Sequence, residues 1–431
     1  MRKFEDLNFI SENRLPQRAY YIPTGEAKYT SLNGKWKFSY FENGDFLPSK
    51  IDFGEISVPS CWQLFGFENP NYTNINYPYP YDPPFVPDIN PCAVYQRDFF
   101  VDITKQTYLV FEGVSSCAEV YCNEKYVGCT QGSHLQAEFD LSNYVKDDKN
   151  TLRVIVRKWC SGSYLEDQDF FRFNGIFRDI YILSRPAGHL FDVEITTEND
   201  DLFIKTDSSF SATLFFQNIK LSSGVYNKNA VINVQNPALW NAENPLLYTL
   251  LIESAGEKLT FDVGFRKFEI STDNELLLNG TPIKLKGINH HDSSPRGGWY
   301  MTDEEIATDL KLMKTLNINT IRTSHYPPTP RFLELCDRLG FYVILETDLE
   351  THGILRRFAD VSYNYDVSSD DWLTSKPEWK QAFLDRMIRA FERDKNHCSV
   401  TMWSTGNESG HGKNHIEMMK WLKNRRSTAL I

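Results

Sequence analysis

The first 185 residues alternate short apolar runs with polar turns. VYQRDFFV, TYLVFEGV and TLRVIVRKW are rich in β-branched and aromatic residues, and turn signals such as Asn33-Gly34 lie between such runs. Runs of this length and composition predict the strands of a β-sandwich or jelly roll. Residues 60–92 form a long loop rich in proline and aromatic residues. Loops of that length in compact domains usually have a function, so we expect this one to contribute to a site.

Residues 186–273 continue the β pattern in a second, shorter block. HLFDVEITTE, LFIKTDSSFSATLFFQ, AVINVQ, LLYTLLIESAG and KLTFDVGFRKFEI have the composition of strands. A block of this size that consists of strands predicts a small immunoglobulin-like sandwich.

From about residue 274 the predicted strands alternate with amphipathic helices. PIKLKGIN predicts a buried strand, and TDEEIATDLKLMKTL predicts a helix that begins at a capping box of Thr302 and Glu305. The apolar residues of this helix recur at helical spacing: Ile306, Leu310, Met313 and Leu316.

Three more strand–helix units follow along the chain. INTIRT precedes a helix with Pro330 at its first position and Gly340 as its stop. FYVILE precedes a helix for which Ser375 and Glu378 predict a capping box. SVTMWS is the fourth strand, and the fourth helix is predicted to begin near Lys413.

Four successive strand–helix units predict a parallel sheet, and the (β/α)8 TIM barrel is the leading candidate. Residues 274–431 are fewer than the ~250 of a typical whole barrel, so we expect its N-terminal half. The predicted fold is multidomain β plus α/β. It comprises a jelly roll with an N-terminal extension (1–185), an immunoglobulin-like sandwich (186–273) and a partial barrel (274–431).

Composition narrows the classes of partner. The net charge is −11 and no basic stripe is present, which argues against nucleic acid. No stretch approaches the ~20 apolar residues of a membrane span, and MRKFEDLNFI has no apolar signal region. The eight cysteines are scattered without a C-x-x-C pair, so neither a zinc ribbon nor a disulfide framework is indicated. We therefore expect a reduced, cytoplasmic protein.

Polar residues follow each strand of the predicted barrel. Chemistry in such barrels lies at the C-terminal ends of the strands, so these residues are expected to share a site. The motifs G-x-S-x-G, H-E-x-x-H, G-x-G-x-x-G and G-x-x-x-x-G-K-[ST] are absent, which leaves carboxylate chemistry of the kind used in glycoside hydrolysis. The strand-end residues are Asn289, His290, His291 and Asp292; Arg322, Ser324, His325 and Tyr326; Glu346, Asp348, Glu350 and His352; Trp403, Asn407, Glu408 and His411.

The sequence resembles the β-galactosidases of glycoside hydrolase family 2 over essentially its whole length. LNGKWKF, VPSCWQ, YTNINYPYP and GSYLEDQDFFRFNGIFRDIYIL are similar to that family's sugar-binding jelly roll. NPLLYTL and VGFRKFEI are similar to its middle sandwich, and LKGINHHD, IRTSHYPPTPRFLELCDRLGFYVILE, ETHG and MWSTGNESGHG to the first half of its barrel. The barrel motifs could also belong to β-glucuronidases or β-mannosidases, whereas SYLEDQD and YTNINYPYP favour galactosidases.

The resemblance implies roles for individual residues. Glu408 matches the general acid/base, with a pKa that burial near Trp403 is expected to raise. Asn407 matches a residue that hydrogen-bonds the sugar 2-hydroxyl. Glu350, His352 and Glu408 match the ligands of a Mg²⁺ site.

Other matched residues are implied to contact substrate or a second ion. Asp169 matches a residue that binds galactose hydroxyls and Na⁺, and Asn74 matches a sugar contact from the long loop. His291 and His325 match residues that stabilise the galactosyl transition state. Trp403 is either a sugar platform or a core residue.

A retaining glycosidase requires a second carboxylate as nucleophile, ~5–5.5 Å from the first. The family's nucleophile is a glutamate near the seventh barrel strand, and no residue of this sequence corresponds to it. We therefore expect a chain truncated after its fourth β–α unit and inactive alone, with a tail, KNRRSTALI, that departs from the family pattern.

The expected activity of the family is hydrolysis of terminal non-reducing β-D-galactose from a β-galactoside such as lactose, with a homo-oligomer as the full-length form. A non-catalytic carbohydrate-binding or assembly fragment and a β-glucuronidase-like specificity are the alternatives.

Overall fold

The computed structural model describes residues 1–45, 47–358 and 370–431. The N-terminal domain is a jelly roll, as predicted. A seven-stranded antiparallel sheet (β1-β10-β9-β12-β7-β4-β5) and a four-stranded sheet (β11-β8-β14-β3) enclose one core, and β6 pairs with β13. The strands are β1 (Ser11–Glu12), β2 (Thr24–Gly25), β3 (Lys28–Ser31), β4 (Gly34–Phe41), β5 (Gly54–Val58), β6 (Tyr72–Thr73), β7 (Cys92–Phe99), β8 (Gln106–Phe111), β9 (Cys117–Cys122), β10 (Lys125–Gln131), β11 (Ala137–Asp140), β12 (Asn150–Arg157), β13 (Phe170–Phe171) and β14 (Ile180–Arg185).

The second domain is the predicted immunoglobulin-like sandwich. Its strands are β15 (Val193–Glu198), β16 (Asp201–Phe216), β17 (Ile219–Asn233), β18 (Tyr248–Ser254) and β19 (Glu257–Val263). The first half of β16 pairs with β15 and the second half with β18. Strand β17 pairs with β16 along the whole length of β16. Buried residues alternate with outward-facing ones along β16, which is why the hydrophobic pattern of this block identifies strands. β2 of the N-terminal segment adds to the edge at β19.

A small antiparallel sheet connects the sandwich to the barrel. It consists of β20 (Phe268–Ile270), β21 (Leu276–Leu278) and β22 (Thr281–Pro282). This sheet straddles the domain boundary that was predicted at residue 274.

The C-terminal domain is a four-stranded parallel sheet in the order β23-β24-β25-β26, with helices between successive strands. This is the first half of a barrel, as predicted. Its elements are β23 (Gly287–His290), α1 (Asp303–Thr315), β24 (Thr320–Thr323), α2 (Pro330–Leu339), β25 (Tyr342–Glu346), α3 (Lys380–Asp394), β26 (Val400–Ser404) and α4 (Lys413–Arg425). Short 3-10 helices lie at Lys3–Glu5, Trp62–Phe65, Ser161–Leu165, His352–Phe358, Leu373–Ser375 and Pro377–Trp379.

Local signals explain where α1 begins and where α2 ends. The capping box of Thr302 and Glu305 is formed, and Gly340 ends α2 in the left-handed conformation at φ 79°. The capping box predicted at Ser375 and Glu378 is wrong, because both residues lie in 3-10 turns. Pro377 forces the residue before it into an extended conformation, so α3 begins only at Lys380.

One further expectation about the barrel is wrong. The first strand is exposed rather than buried, with Ile288 37% exposed, because β23 pairs on one side only. The tail contacts the fourth strand: Trp403 N donates to Leu430 O at 2.9 Å, and Met402 and Leu430 form a parallel bridge. The chain after α4 thus returns along the edge of β26 in the direction of a following barrel strand.

The half barrel is docked on the jelly roll. One core cluster combines Tyr164 and Leu165 of the jelly roll with Phe383 and Met387 of α3. No helix among the described residues is long and apolar enough to cross a membrane.

Candidate active site

Glu408 lies in the turn between β26 and α4, at the C-terminal edge of the parallel sheet. Its backbone is left-handed, with φ 28°, and 51% of its side chain is exposed. Asn407 N donates to Leu349 O at 2.9 Å, and Asn407 forms a parallel bridge with Glu350. The turn is therefore fastened to the segment that follows β25, and the carboxylate of Glu408 reaches solvent.

Glu350 is the buried partner of Glu408. Its backbone N donates to Leu165 O of the jelly roll at 2.8 Å, and its Oε2 accepts from Asn407 Nδ2 at 3.0 Å. Oε1 is buried without a hydrogen-bond partner. Burial, together with the nearby charges of Glu408 and Asp167, raises the pKa of Glu350 to about 9.

His352 completes a group of three potential metal ligands. Its Nδ1 lies 2.8 Å from Glu408 Oε2 and 3.9 Å from Glu350 Oε1. One ligand atom from each residue falls within 4.8 Å of the others, the sole such group among the described residues. Two converging carboxylates and an unpartnered buried oxygen fit a cation, and the histidine is unusual for Mg²⁺, which prefers oxygen ligands.

Trp403 does not belong to the site. Its side chain is 5% exposed and packs on Phe391 of α3, with ring centroids 4.8 Å apart. Alternate residues of a strand face opposite sides of the sheet, and Trp403 faces the helices. This placement supports the core role and not the sugar platform. The expected burial of Glu408 near Trp403 is wrong as well, because the Glu408 side chain is half exposed.

His325 and Asn407 are linked through Arg322 and Glu346. His325 Nδ1 lies 2.5 Å from Glu346 Oε1, and Arg322 donates to both oxygens of Glu346 at 2.8 and 2.9 Å. The Nη2 of Arg322 also donates to Asn407 Oδ1 at 2.9 Å. A continuous set of hydrogen bonds therefore runs from His325 to Asn407 and on to Glu350.

His291 lies beside His325 in an uncharged state at neutral pH. The two rings are 5.2 Å apart and nearly perpendicular, and Tyr326 Oη lies 3.4 Å from His291 Nδ1. Burial, followed by the neighbouring His325 and His290, lowers the pKa of His291 to about 4. A neutral imidazole can exchange hydrogen bonds with sugar hydroxyls without adding charge.

Asp169 and Asn74, the predicted sugar contacts of the jelly roll, lie at the small ladder between β6 and β13. The ladder between β6 and β13 pairs Thr73 with Phe170, so Asn74 and Asp169 follow at the same end of it. Both are exposed, and Asp169 accepts a hydrogen bond from the Tyr72 hydroxyl. Asp169 follows Gln168, whose side chain donates to the backbone oxygen of His325 in the barrel. The contacts of Asp169 and Asn74 with a sugar stay predictions.

Two jelly-roll residues of this region escaped sequence reasoning. Gln168 Nε2 donates to the backbone oxygen of His325 at 3.2 Å and to Asp348 Oδ1 at 3.1 Å. His134 places its Nδ1 3.4 Å from Asp348 Oδ2. For Gln168, only the motif that contains it, SYLEDQD, drew attention to the position, because periodicity says nothing about contacts between domains.

Comparison with known proteins agrees with this architecture. Residues 29–186 match the sugar binding domain of glycosyl hydrolases family 2, residues 181–266 match a further domain of glycosyl hydrolases family 2, and residues 268–431 match the family's TIM barrel domain. Three successive domains of one family thus account for nearly the whole chain. The chain belongs to glycosyl hydrolases family 2.

Curated relatives give a closer likeness. The chain is 41% identical to a β-galactosidase from Actinobacillus pleuropneumoniae, over 99% of this chain and 47% of that protein. It is 40% identical to a β-galactosidase from Staphylococcus xylosus, over 96% of this chain and 44% of that protein. The chain therefore spans about half the length of the curated relatives it matches.

Solved structures share the fold at lower identity. β-D-Glucuronidase from Dictyoglomus thermophilum superposes with a TM-score of 0.75 at 21% identity, over 96% of this chain and 73% of that one. β-Glucuronidase from Lactobacillus rhamnosus gives a TM-score of 0.78 at 22% identity with the same coverage. At this identity the likeness concerns the fold alone.

Proposed function

We propose that this chain carries the acid/base half of a β-galactosidase site, which hydrolyses terminal non-reducing β-D-galactose with net retention. The observation that carries the proposal is the arrangement of Glu408, exposed at the sheet edge and 2.8 Å from His352 Nδ1, next to Asn407. The relatives at 41% and 40% identity that are named β-galactosidases support the choice of sugar.

Glu408 exchanges the proton in both steps of the reaction. It first protonates the leaving glycosidic oxygen and then, as a carboxylate, takes a proton from the attacking water. Exposure of its side chain lets both the leaving group and water reach it. Asn407 gives one amide hydrogen to Glu350, which leaves the second to donate to a sugar hydroxyl.

Glu350, His352 and Glu408 would hold Mg²⁺ in this proposal. The bound ion supplies positive charge that stabilises the ionised carboxylates. The buried, unpartnered Oε1 of Glu350 supports a cation at this point.

The proposed Na⁺ at Asp169 has less support. Asp169 belongs to no group of three potential ligands among the described residues. Its exposed carboxylate already accepts from Tyr72, so this residue alone does not make a sodium site and no step is derived through it.

The nucleophile is not supplied by the carboxylate nearest to Glu408. Glu350 is fully buried, and a pKa of about 9 keeps it protonated at neutral pH in the absence of an ion. A nucleophilic carboxylate must be ionised and ~5–5.5 Å from the acid/base. We therefore propose that the nucleophile comes from a part of the barrel that the relatives possess beyond the region matched here, and that residues 1–431 alone are inactive.

Two alternatives make different predictions. A glucuronide specificity requires a cation for the sugar carboxylate, but the guanidinium of Arg322 is already engaged by Glu346 and Asn407. A non-catalytic fragment would bind galactosides through Asp169 and Asn74 without turning them over, even when the barrel is completed.

Several attributes of the whole protein belong to the same proposal. The substrate class is a β-galactoside such as lactose, and the complete enzyme is a homo-oligomer. A cytoplasmic location is supported by the eight cysteines, all of which are free and buried.

A chimera tests the proposed function. Residues 1–431 are joined to the part of the Actinobacillus β-galactosidase that lies beyond the matched region, and hydrolysis of a chromogenic β-galactoside and β-glucuronide is compared in Mg²⁺. We expect galactoside turnover with retained anomeric configuration. A folded chimera that binds galactoside without turnover supports the non-catalytic alternative, and preferential glucuronide cleavage supports the other.

A further inference from the structure

Glu346 is a buried carboxylate at the end of β25, surrounded by hydrogen-bond donors. It has no exposed surface. Oε1 lies 2.5 Å from His325 Nδ1 and 2.9 Å from Arg322 Nη2. Oε2 accepts from Ser404 Oγ at 2.5 Å and from Arg322 Nε at 2.8 Å. Three of these four contacts are hydrogen bonds donated by Arg322 and Ser404. The direction of the fourth, to His325 Nδ1, depends on which of the two groups carries the hydrogen.

The charge state of Glu346 determines the direction of the contact with His325. Burial acts to raise the pKa of Glu346, but the contact with His325, the hydrogen bond from Ser404 and the charge of Arg322 outweigh it and hold the pKa below its usual range. An ionised carboxylate only accepts hydrogen bonds. The hydrogen between the two groups therefore lies on Nδ1 of His325, and Nε2 is the ring nitrogen left for a ligand.

The same carboxylate acts on Asn407 through Arg322. The Nη2 that contacts Glu346 also donates to Asn407 Oδ1 at 2.9 Å. A guanidinium has donors only, so this contact determines which end of the amide faces Arg322. Asn407 Nδ2 then faces Glu350 Oε2, at 3.0 Å.

We propose that Glu346 is a positioning residue that holds His325 in its Nδ1-protonated tautomer and, through Arg322, fixes the amide orientation of Asn407. The significance of this role for catalysis rests on the proposed function. The structural claim itself requires neither substrate nor metal, so the two can fail separately.

Nitrogen NMR of the 431-residue chain tests the tautomer directly. With 15N-labelled histidine and the His325 signal assigned from a His325→Gln variant, the 15N shifts identify the nitrogen that carries hydrogen in the neutral ring. We expect hydrogen on Nδ1 and none on Nε2. The Nε2-protonated form in the wild-type chain would overturn the proposal, whatever the behaviour of any variant.

Variants separate the effect of Glu346 from general structural change. Glu346→Ala should abolish the Nδ1 preference of His325 and shift the side-chain amide signals of Asn407. Asp309→Asn is the matched control, because Asp309 lies 3.4 Å from Nε2 of the neighbouring His290 and should leave His325 and Asn407 unchanged. A folded Glu346→Ala chain with unchanged His325 and Asn407 signals would contradict the proposal. If that variant does not fold, the wild-type spectrum still decides the tautomer, and Arg322→Gln tests the amide orientation of Asn407.

Discussion

His134 of the jelly roll stacks on Tyr326 of the barrel, with ring centroids 3.7 Å apart and ring planes 7° from parallel. Tyr326 Oη in turn lies 3.4 Å from Nδ1 of His291. The jelly roll therefore forms part of the support beneath the barrel's predicted sugar contacts. The N-terminal domain and the half barrel should consequently unfold as one unit.

The ion pair between Glu166 and Arg386 is expected to carry much of this coupling. Arg386 Nη2 lies 2.7 Å from Glu166 Oε1, and both side chains are buried. Glu166→Gln leaves the buried Arg386 with the more distant Asp348 Oδ2, at 3.4 Å, as its remaining charged partner. The substitution should therefore lower the free energy of unfolding by about 3 kcal/mol, the lower end of the range for a broken buried ion pair. Urea denaturation measures this difference.

The matched control for that experiment is an exposed pair. Lys35 and Glu55 are 3.3 Å apart on the surface, and Glu55→Gln should change stability by about 0–1 kcal/mol. Equal changes in the free energy of unfolding for the two substitutions would contradict the stabilising role of the Glu166–Arg386 pair between the domains.

The buried carboxyl group of Glu112 should make the folded protein less stable as pH rises. Burial, followed by the charge of Asp179, raises its pKa to about 8 from 4.5. The folded state binds the additional proton between these values, so the stability from this group is fully present below pH 4.5 and is lost as pH rises to about 8. Glu112→Gln should match the wild type at pH 4 and exceed it by on the order of 3–5 kcal/mol at pH 9. Denaturation midpoints that differ by the same amount at both pH values would contradict this reasoning.

The His291 ring should remain uncharged at pH values well below the usual pKa of histidine. Its pKa is lowered from 6.5 to about 4, first by burial and then by His325 and His290. The unfolded chain takes up this proton first, so the contribution to stability falls as pH decreases from 6.5 to 4. An NMR titration of the His291 ring should have its midpoint near 4, and a midpoint near 6.5 would mean that the ring is solvated.

Mg²⁺ binding should depend on Glu350. Isothermal titration calorimetry of the 431-residue chain with Mg²⁺ is expected to show one binding site. Glu350→Gln should lower the affinity of that site by more than ~10-fold, because even the loss of a residue that only supports a metal ligand typically costs that much. Glu55→Gln, on the exposed surface of the jelly roll, serves as the control and should bind as the wild type does. Unchanged affinity in Glu350→Gln would remove the proposed metal site.

The helices and strands of the barrel could be predicted from the sequence, but their contacts with the jelly roll could not. Thr302 and Glu305 predict the start of α1 because a capping box depends on neighbouring residues alone. Glu350, Asn407 and Glu408 come together because parallel strands end at one edge of a sheet. Such reasoning reaches any residue whose position follows from its own element.

Local sequence patterns do not predict contacts between domains, nor which of two conflicting local signals determines the conformation. The stacking of His134 on Tyr326 joins residues that no local pattern connects. Ser375 and Glu378 have capping-box spacing, but Pro377 between them prevents a helical start. Trp403 was ambiguous because strand alternation defines two faces without saying which of them meets the helices.

The most direct test of the account is the effect of Glu408→Gln on hydrolysis of a chromogenic β-galactoside, in Mg²⁺, by the chimera and by residues 1–431 alone. We expect no turnover by the 431-residue chain beyond that of its variant. In the chimera we expect turnover that the substitution lowers by about 10²–10⁴-fold, as befits the loss of a general acid/base. Equal turnover in both forms of the chimera would contradict the role of Glu408. Turnover by the 431-residue chain that Glu408→Gln abolishes would show that the second carboxylate lies within these residues.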